Sequence, residues 1–135
     1  MKWYLILPAA VVLAVCIAFA LFGCARSSDT ASLNYTQVSS EEGQKMIQEE
    51  TGYIILDVRR QDEYAEGHIP GAICVPNEEI GEEEIEELPD KDRRIFVYCR
   101  SGRRSKEAAQ KLADMGYTDI VEFGGILDWK GEIEK

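Results

Sequence analysis

Three short apolar runs and a fourth strand-like segment, interleaved with segments of helical character, leave this chain few folds to choose from. The runs are Tyr53-Ile54-Ile55-Leu56, Ala72-Ile73-Cys74-Val75 and Ile95-Phe96-Val97-Tyr98, and the fourth segment is Asp119 to Phe123. The continuous apolar stretches fit strands buried on both faces. Between them the helical signals recur. Ser39 and Glu42 have capping-box spacing ahead of Met46 and Ile47, with Gly52 placed to close that helix. Asp62 to Glu66 reads as a helical turn ended by Gly67. From Arg104 to Met115, Ala108, Ala109, Leu112 and Ala113 share one helical face, and Gly116 stops it. Gly124-Gly125 breaks the chain before a last short helix around Ile126 to Trp129. Strand alternating with helix over residues 38–135 predicts an α/β domain built on a parallel sheet. The seven glutamates between Glu78 and Glu87, set around Ile80 and Ile85 and stopped at Pro89, read as a solvated helix face.

Upstream of that domain the composition changes. Trp3 to Phe22 carries no charge and follows Lys2, so residues 1–23 have the form of an export signal or membrane anchor. Leu21-Phe22-Gly23-Cys24 resembles the lipobox of bacterial lipoproteins, which implies lipidation at Cys24, although Phe22 is bulkier than the usual small residue. Residues 24–37 are small and polar and read as a linker. The domain is therefore expected outside the cytoplasm of a bacterial cell, tethered to the envelope membrane. The net charge is −10, which excludes a nucleic-acid partner. An anionic ligand must then be captured by a local cluster of cations, which screening over about 8 Å at physiological salt permits.

Cys99-Arg100-Ser101-Gly102-Arg103-Arg104-Ser105 provides that cluster. A thiol stands where a strand gives way to a helix. Backbone N–H groups converge at such turns, and the helix N-terminus adds positive potential. Both favour thiolate, the nucleophilic form. A lone Cys at a strand end is commonly an inert small hydrophobe, but three neighbouring arginines argue against burial in an apolar core. A metal site is disfavoured by the absence of Cys-x-x-Cys spacing and the single His.

Three motifs precede that loop at tight spacing: Asp57-Val58-Arg59, Glu63-Tyr64 and Gly67-His68-Ile69-Pro70-Gly71-Ala72. With the Cys99 loop, Gly124-Gly125 and Trp129, the chain resembles a single-domain rhodanese over about residues 38–133. The resemblance implies a five-stranded parallel sheet flanked by helices, with Cys99 as the catalytic residue and Arg100, Ser101, Gly102, Arg103 and Arg104 as the cradle that binds substrate. It implies a sulfurtransferase that takes a sulfane sulfur from a small anionic donor such as thiosulfate, holds it as a Cys99 persulfide and passes it to a thiol or cyanide. No cofactor is implied, and a monomer is expected. Within the cradle Arg104 is expected nearest the substrate anion, with Arg100 and Arg103 at the rim. Asp57, Arg59, Glu63 and His68 read as structural, with Arg59 and Glu63 spaced for a local ion pair.

Two other chemistries compete. A thiol-redox or binding module would use Cys99 without sulfur transfer, with Cys74 as a resolving thiol; otherwise Cys74 is a buried small residue. A phosphate- or arsenate-processing enzyme of the related type carries Cys-x5-Arg, whereas here the last loop arginine stands five residues after Cys99 and Ser105 stands six after it. The shorter cradle suits one extra sulfur atom.

Overall fold

The computed structural model describes residues 33–135. The expected leader at 1–23, Cys24 and most of the expected linker lie outside the described residues. Among the described residues no helix is long and apolar enough to cross a membrane.

Five strands form one sheet: β1 (Thr36–Gln37), β2 (Ile54–Asp57), β3 (Ile73–Cys74), β4 (Ile95–Cys99) and β5 (Ile120–Gly125). All pair in parallel, in the spatial order β1-β5-β4-β2-β3. Three helices connect them: α1 (Ser40–Glu49), α2 (Gln61–Glu66) and α3 (Arg103–Asp114). β1 falls inside the stretch expected to be linker; Thr36 and Gln37 pair with Val121 and Glu122 and cover the edge of β5.

The alternation of side chains along β4 and β5 divides the core. Val97 and Cys99, with Ile95 and Ile120, pack against Ala108, Ala109 and Leu112 of α3. Phe96, Tyr98, Val121 and Phe123 pack on the other face, against Met46 and Ile47 of α1. α1 begins as its capping signal predicts, with Ser39 Oγ accepting from the Glu42 N–H at 3.1 Å. Its Gly43 lies so close to Phe123 that a Cβ there would overlap the ring.

The glutamate-rich stretch does not form the expected helix. One short 3-10 turn, Asn77–Glu79, is followed by bends, with Ile80, Ile85 and Leu88 buried. Crowded glutamates would repel one another at helical spacing, and Gly81 adopts φ +150°. The apolar residues pin the segment to the core while its carboxylates stay in water.

Candidate active site

β4 and β5 fall out of step at the end of the sheet that carries Cys99. Val97 pairs with Glu122, but Cys99 pairs with Gly125, so β5 spends an extra residue there. Gly124 takes φ +90°, a region that favours glycine. The kink brings Gly125 against the Cys99 loop, where a Cβ would collide with the carbonyl of Arg100. Leu127 N–H donates to that same carbonyl at 3.2 Å. The Gly-Gly pair is therefore the floor on which the loop rests, and β5 runs through it rather than breaking before it.

Over this floor the chain turns at Gly102, with φ +106°, and enters α3 at Arg103. The Gly102 N–H donates to Cys99 Sγ at 3.0 Å. The first N–H groups of α3 follow, and such groups have no carbonyl partner within their own helix. Cys99 itself is only 1% exposed, so the expectation that flanking arginines would keep it from burial fails. None of their charges enters the core: Arg100 and Arg103 are exposed, and Arg104 is paired. A cleft of about 540 Å³ opens beside the loop, lined by Arg60, Glu63, Glu78, Arg100, Ser101, Arg103 and Arg104. A larger hollow, about 840 Å³, lies among the glutamates of residues 78–87 and Lys111 and shares Glu78 with that cleft.

The three loop arginines differ in what they hold. Arg104 forks onto Glu63 at 2.7 and 3.0 Å, so it is not the free inner cation that its position predicts. This bidentate bond, chiefly, holds the Glu63 carboxyl down at about 2. Arg103 pairs with Glu107 of its own helix at 2.9 Å. Among the described residues Arg100 has no carboxylate partner. The expected Arg59–Glu63 pair is also absent. Arg59 instead closes on Asp57, with Nη2 to Oδ2 at 2.6 Å, and donates to the Gly67 carbonyl at 2.7 Å. Tyr98 OH donates to Asp57 Oδ2 at 2.7 Å and accepts from Ile69 N–H at 3.1 Å. His68 stacks on Tyr64 and ties the chain to Glu134, its Nε2 lying 3.2 Å from Oε1. These motif residues are structural.

Two residues given no role at the site by the sequence stand directly behind the thiol. Ser105 Oγ is 3.4 Å from Cys99 Sγ and donates to Glu122 Oε1 at 2.6 Å; both residues are fully buried. Ser105 occupies the position six after Cys99, where a phosphatase loop would present its arginine. Cys74, by contrast, is remote. In the register Cys74–Asp57–Tyr98 it lies two strand spacings, about 9–10 Å, from β4. It shares the face of Tyr98, opposite that of Cys99. A disulfide requires Cα atoms within about 7 Å, so this arrangement does not make Cys74 a resolving thiol. Burial, chiefly, pushes its thiol up to about 11.

A family model described as Rhodanese-like domain matches residues 39–132. The chain belongs to the rhodanese-like family. It is 40% identical over 73 residues to the thiosulfate sulfurtransferase PspE of Escherichia coli K12, covering 54% of this chain and 70% of that one. To the thiosulfate sulfurtransferase GlpE of Coxiella burnetii it is 33% identical over 97 residues, covering 71% of this chain and 88% of GlpE. An Escherichia coli structure described as a rhodanese with anions superimposes with a TM-score of 0.57 at 36% identity, covering 62% of this chain and 98% of that one. The chain has a rhodanese-like α/β fold, with five parallel strands flanked by helices.

Proposed function

We propose that this rhodanese-like protein transfers sulfane sulfur from thiosulfate or a similar small anion to a thiol or cyanide through a persulfide on Cys99. The observation that carries the reading is the Cys99 sulfur under the Gly102 N–H, at a strand-to-helix turn beside a cleft bearing four arginines. In the first half-reaction the Cys99 sulfur attacks the outer sulfur of thiosulfate. The S–S bond of the donor breaks, its electron pair leaves with sulfite, and the terminal persulfide sulfur carries one negative charge. The Gly102 N–H and the start of α3 stabilise that charge. In the second half-reaction a thiophile attacks the terminal sulfur and Cys99 is regenerated.

Two relatives carry the name thiosulfate sulfurtransferase, and a third is described with anions, which supports an anionic donor. Mass spectrometry after incubation with thiosulfate tests the proposal. Cys99 should gain one sulfur atom, and Cys99→Ser should gain none; folded native protein that forms no adduct would refute transfer.

The apolar run at residues 3–22 and Cys24 support an envelope tether, by lipid or by helix. Fractionation of cells expressing the full chain should place it in the membrane. Labelled fatty acid that incorporates in the native chain but not in Cys24→Ala would identify the lipid form, and recovery of the native chain from the cytosol would refute the tether.

A further inference from the structure

Among the described residues, Glu122 is the one fully buried carboxylate whose partners lead to the Cys99 sulfur. It is 0% exposed, on β5, facing α3. Its Oε1 accepts from Ser105 Oγ at 2.6 Å and from the Gly124 N–H at 2.8 Å. Its Oε2 is buried with no partner among the described residues. Leaving a buried carboxylate oxygen unmatched is costly, and the bonds that tie Glu122 to the Gly124 kink and to Ser105 use Oε1 alone. Ser105 has one proton. The Gly102 and Gly124 carbonyls, at 3.0 and 3.2 Å, also face it, but Glu122 Oε1 is nearest at 2.6 Å; with the proton directed there, the Ser105 oxygen is free to accept from the Cys99 thiol 3.4 Å away. The three groups form a chain from sulfur to carboxylate.

We infer that Cys99 and Glu122 share a single proton through Ser105, so that the buried site holds one negative charge whether or not the thiol has ionised. Glu122 is then a positioning residue that sets the pH at which Cys99 becomes reactive. When the thiol ionises, its S–H bond breaks and an O–H bond forms on Ser105. The original Ser105 proton moves to Glu122 Oε1. The negative charge leaves a carboxylate with an unmatched oxygen and arrives on a sulfur beneath the Gly102 N–H. Thiosulfate then loses sulfite, the persulfide takes the charge one atom further out, and Glu122 keeps the proton. Return of the thiolate restores the starting distribution. Removing both protons instead places two negative charges no more than about 6 Å apart, and their repulsion opposes it.

Other charges reach this site from two sides. On α3, Arg104 lies near enough to feel a thiolate at Cys99, although its guanidinium is held by Glu63. Next to β1, the Tyr35 hydroxyl is held up by burial and then by the charge of Glu122. α1 packs on the opposite face.

This inference concerns the thiol on which the sulfur-transfer reading rests, but alkylation probes it without any sulfur donor, so the two can fail separately. The full chain and Glu122→Gln are treated with iodoacetamide between pH 5 and pH 10, and modification of Cys99 is followed by peptide mass. Glutamine keeps the shape and an acceptor for Ser105 but cannot take the proton. The variant should alkylate at least about tenfold faster near pH 8, along a single titration step, and the gap should narrow toward acid pH as the native carboxyl is neutralised. Profiles that coincide, or that differ by one factor at every pH, would overturn the proposal. The same question is answered without that variant by the ¹³C carboxyl resonance of Glu122. It should titrate in two steps in the native chain, one of them coincident with Cys99, and in a single step in Cys99→Ser. Identical titrations in both would overturn the proposal.

Discussion

The two faces of the sheet handle buried charge in opposite ways. On the α1 face, Asp57 is matched at every turn: Arg59 closes on it from one side and Tyr98 from the other, and Arg59 spends its remaining reach on the Gly67 carbonyl. On the α3 face, Glu122 keeps one oxygen unmatched and connects through Ser105 to the thiol. A saturated network holds the chain in one arrangement, because each member is fixed by at least two others. An unsaturated one can exchange a proton without moving a backbone atom. The first face is fixed by its bonds, and the second is the one on which the proposed proton exchange would run.

The sharpest way to break this contrast is to remove one member from each side. Asp57→Ala leaves the Arg59 guanidinium buried without its counter-ion, and breaking a buried pair costs about 3–5 kcal/mol. Urea unfolding should show that loss, whereas Glu122→Gln should change stability by less than about 1 kcal/mol. Equal losses would erase the distinction. Within the saturated network, Tyr98→Phe deletes the hydroxyl that bridges Asp57 and the Ile69 N–H, and should cost about 1–3 kcal/mol while leaving Cys99 alkylation unchanged.

The Arg104–Glu63 pair refines the picture at the mouth of the site. Arg104→Ala removes a cation and also leaves the Glu63 carboxylate unpaired on the wall of the arginine-lined cleft. kcat/KM for thiosulfate should fall about tenfold, and adding Glu63→Gln should restore most of it. Arg100→Ala removes the cation that has no carboxylate partner. It should act mainly on KM, by a few fold, with an effect that shrinks as salt is raised. The smallest expected effect is on acid stability. The folded-state Glu63 carboxyl lies at about 2, below its ordinary value of 4.5, so its contribution is complete above 4.5 and is lost as pH falls from there toward 2. Glu63→Gln should flatten the stability curve in that window, lying below the native chain near neutrality and converging with it toward pH 2.

Much of this architecture can be read from the residues in order, and the failures have physical causes. The β4–loop–α3 unit is legible because an apolar strand, a glycine turn and an alanine-rich helix face follow one another without a gap. β1 is not, since Thr36 and Gln37 are two polar residues that become a strand only because β5 offers an open edge. The glutamate-rich segment misleads because apolar pegs and carboxylates alternate at a spacing that also fits a helix. At the site, Cys99 and its loop are visible as a local motif. The Arg104–Glu63 pair is not, because it joins residues 41 positions apart. Glu122 hides in plain view: a charged residue inside Ile120–Phe123, in a sheet covered on both faces, was the available signal that something must hold it.

The contact between Gly125 and the Arg100 carbonyl has a practical corollary for anyone redesigning this protein. Two stretches of chain about twenty-five residues apart form one indivisible part. Grafting the thiol loop onto another scaffold without the kinked glycine pair would leave it unsupported. Lengthening the loop toward the dimensions that a phosphoryl group needs would lift it off its seat. The position of the thiol loop is thus set from underneath, by a residue with no side chain.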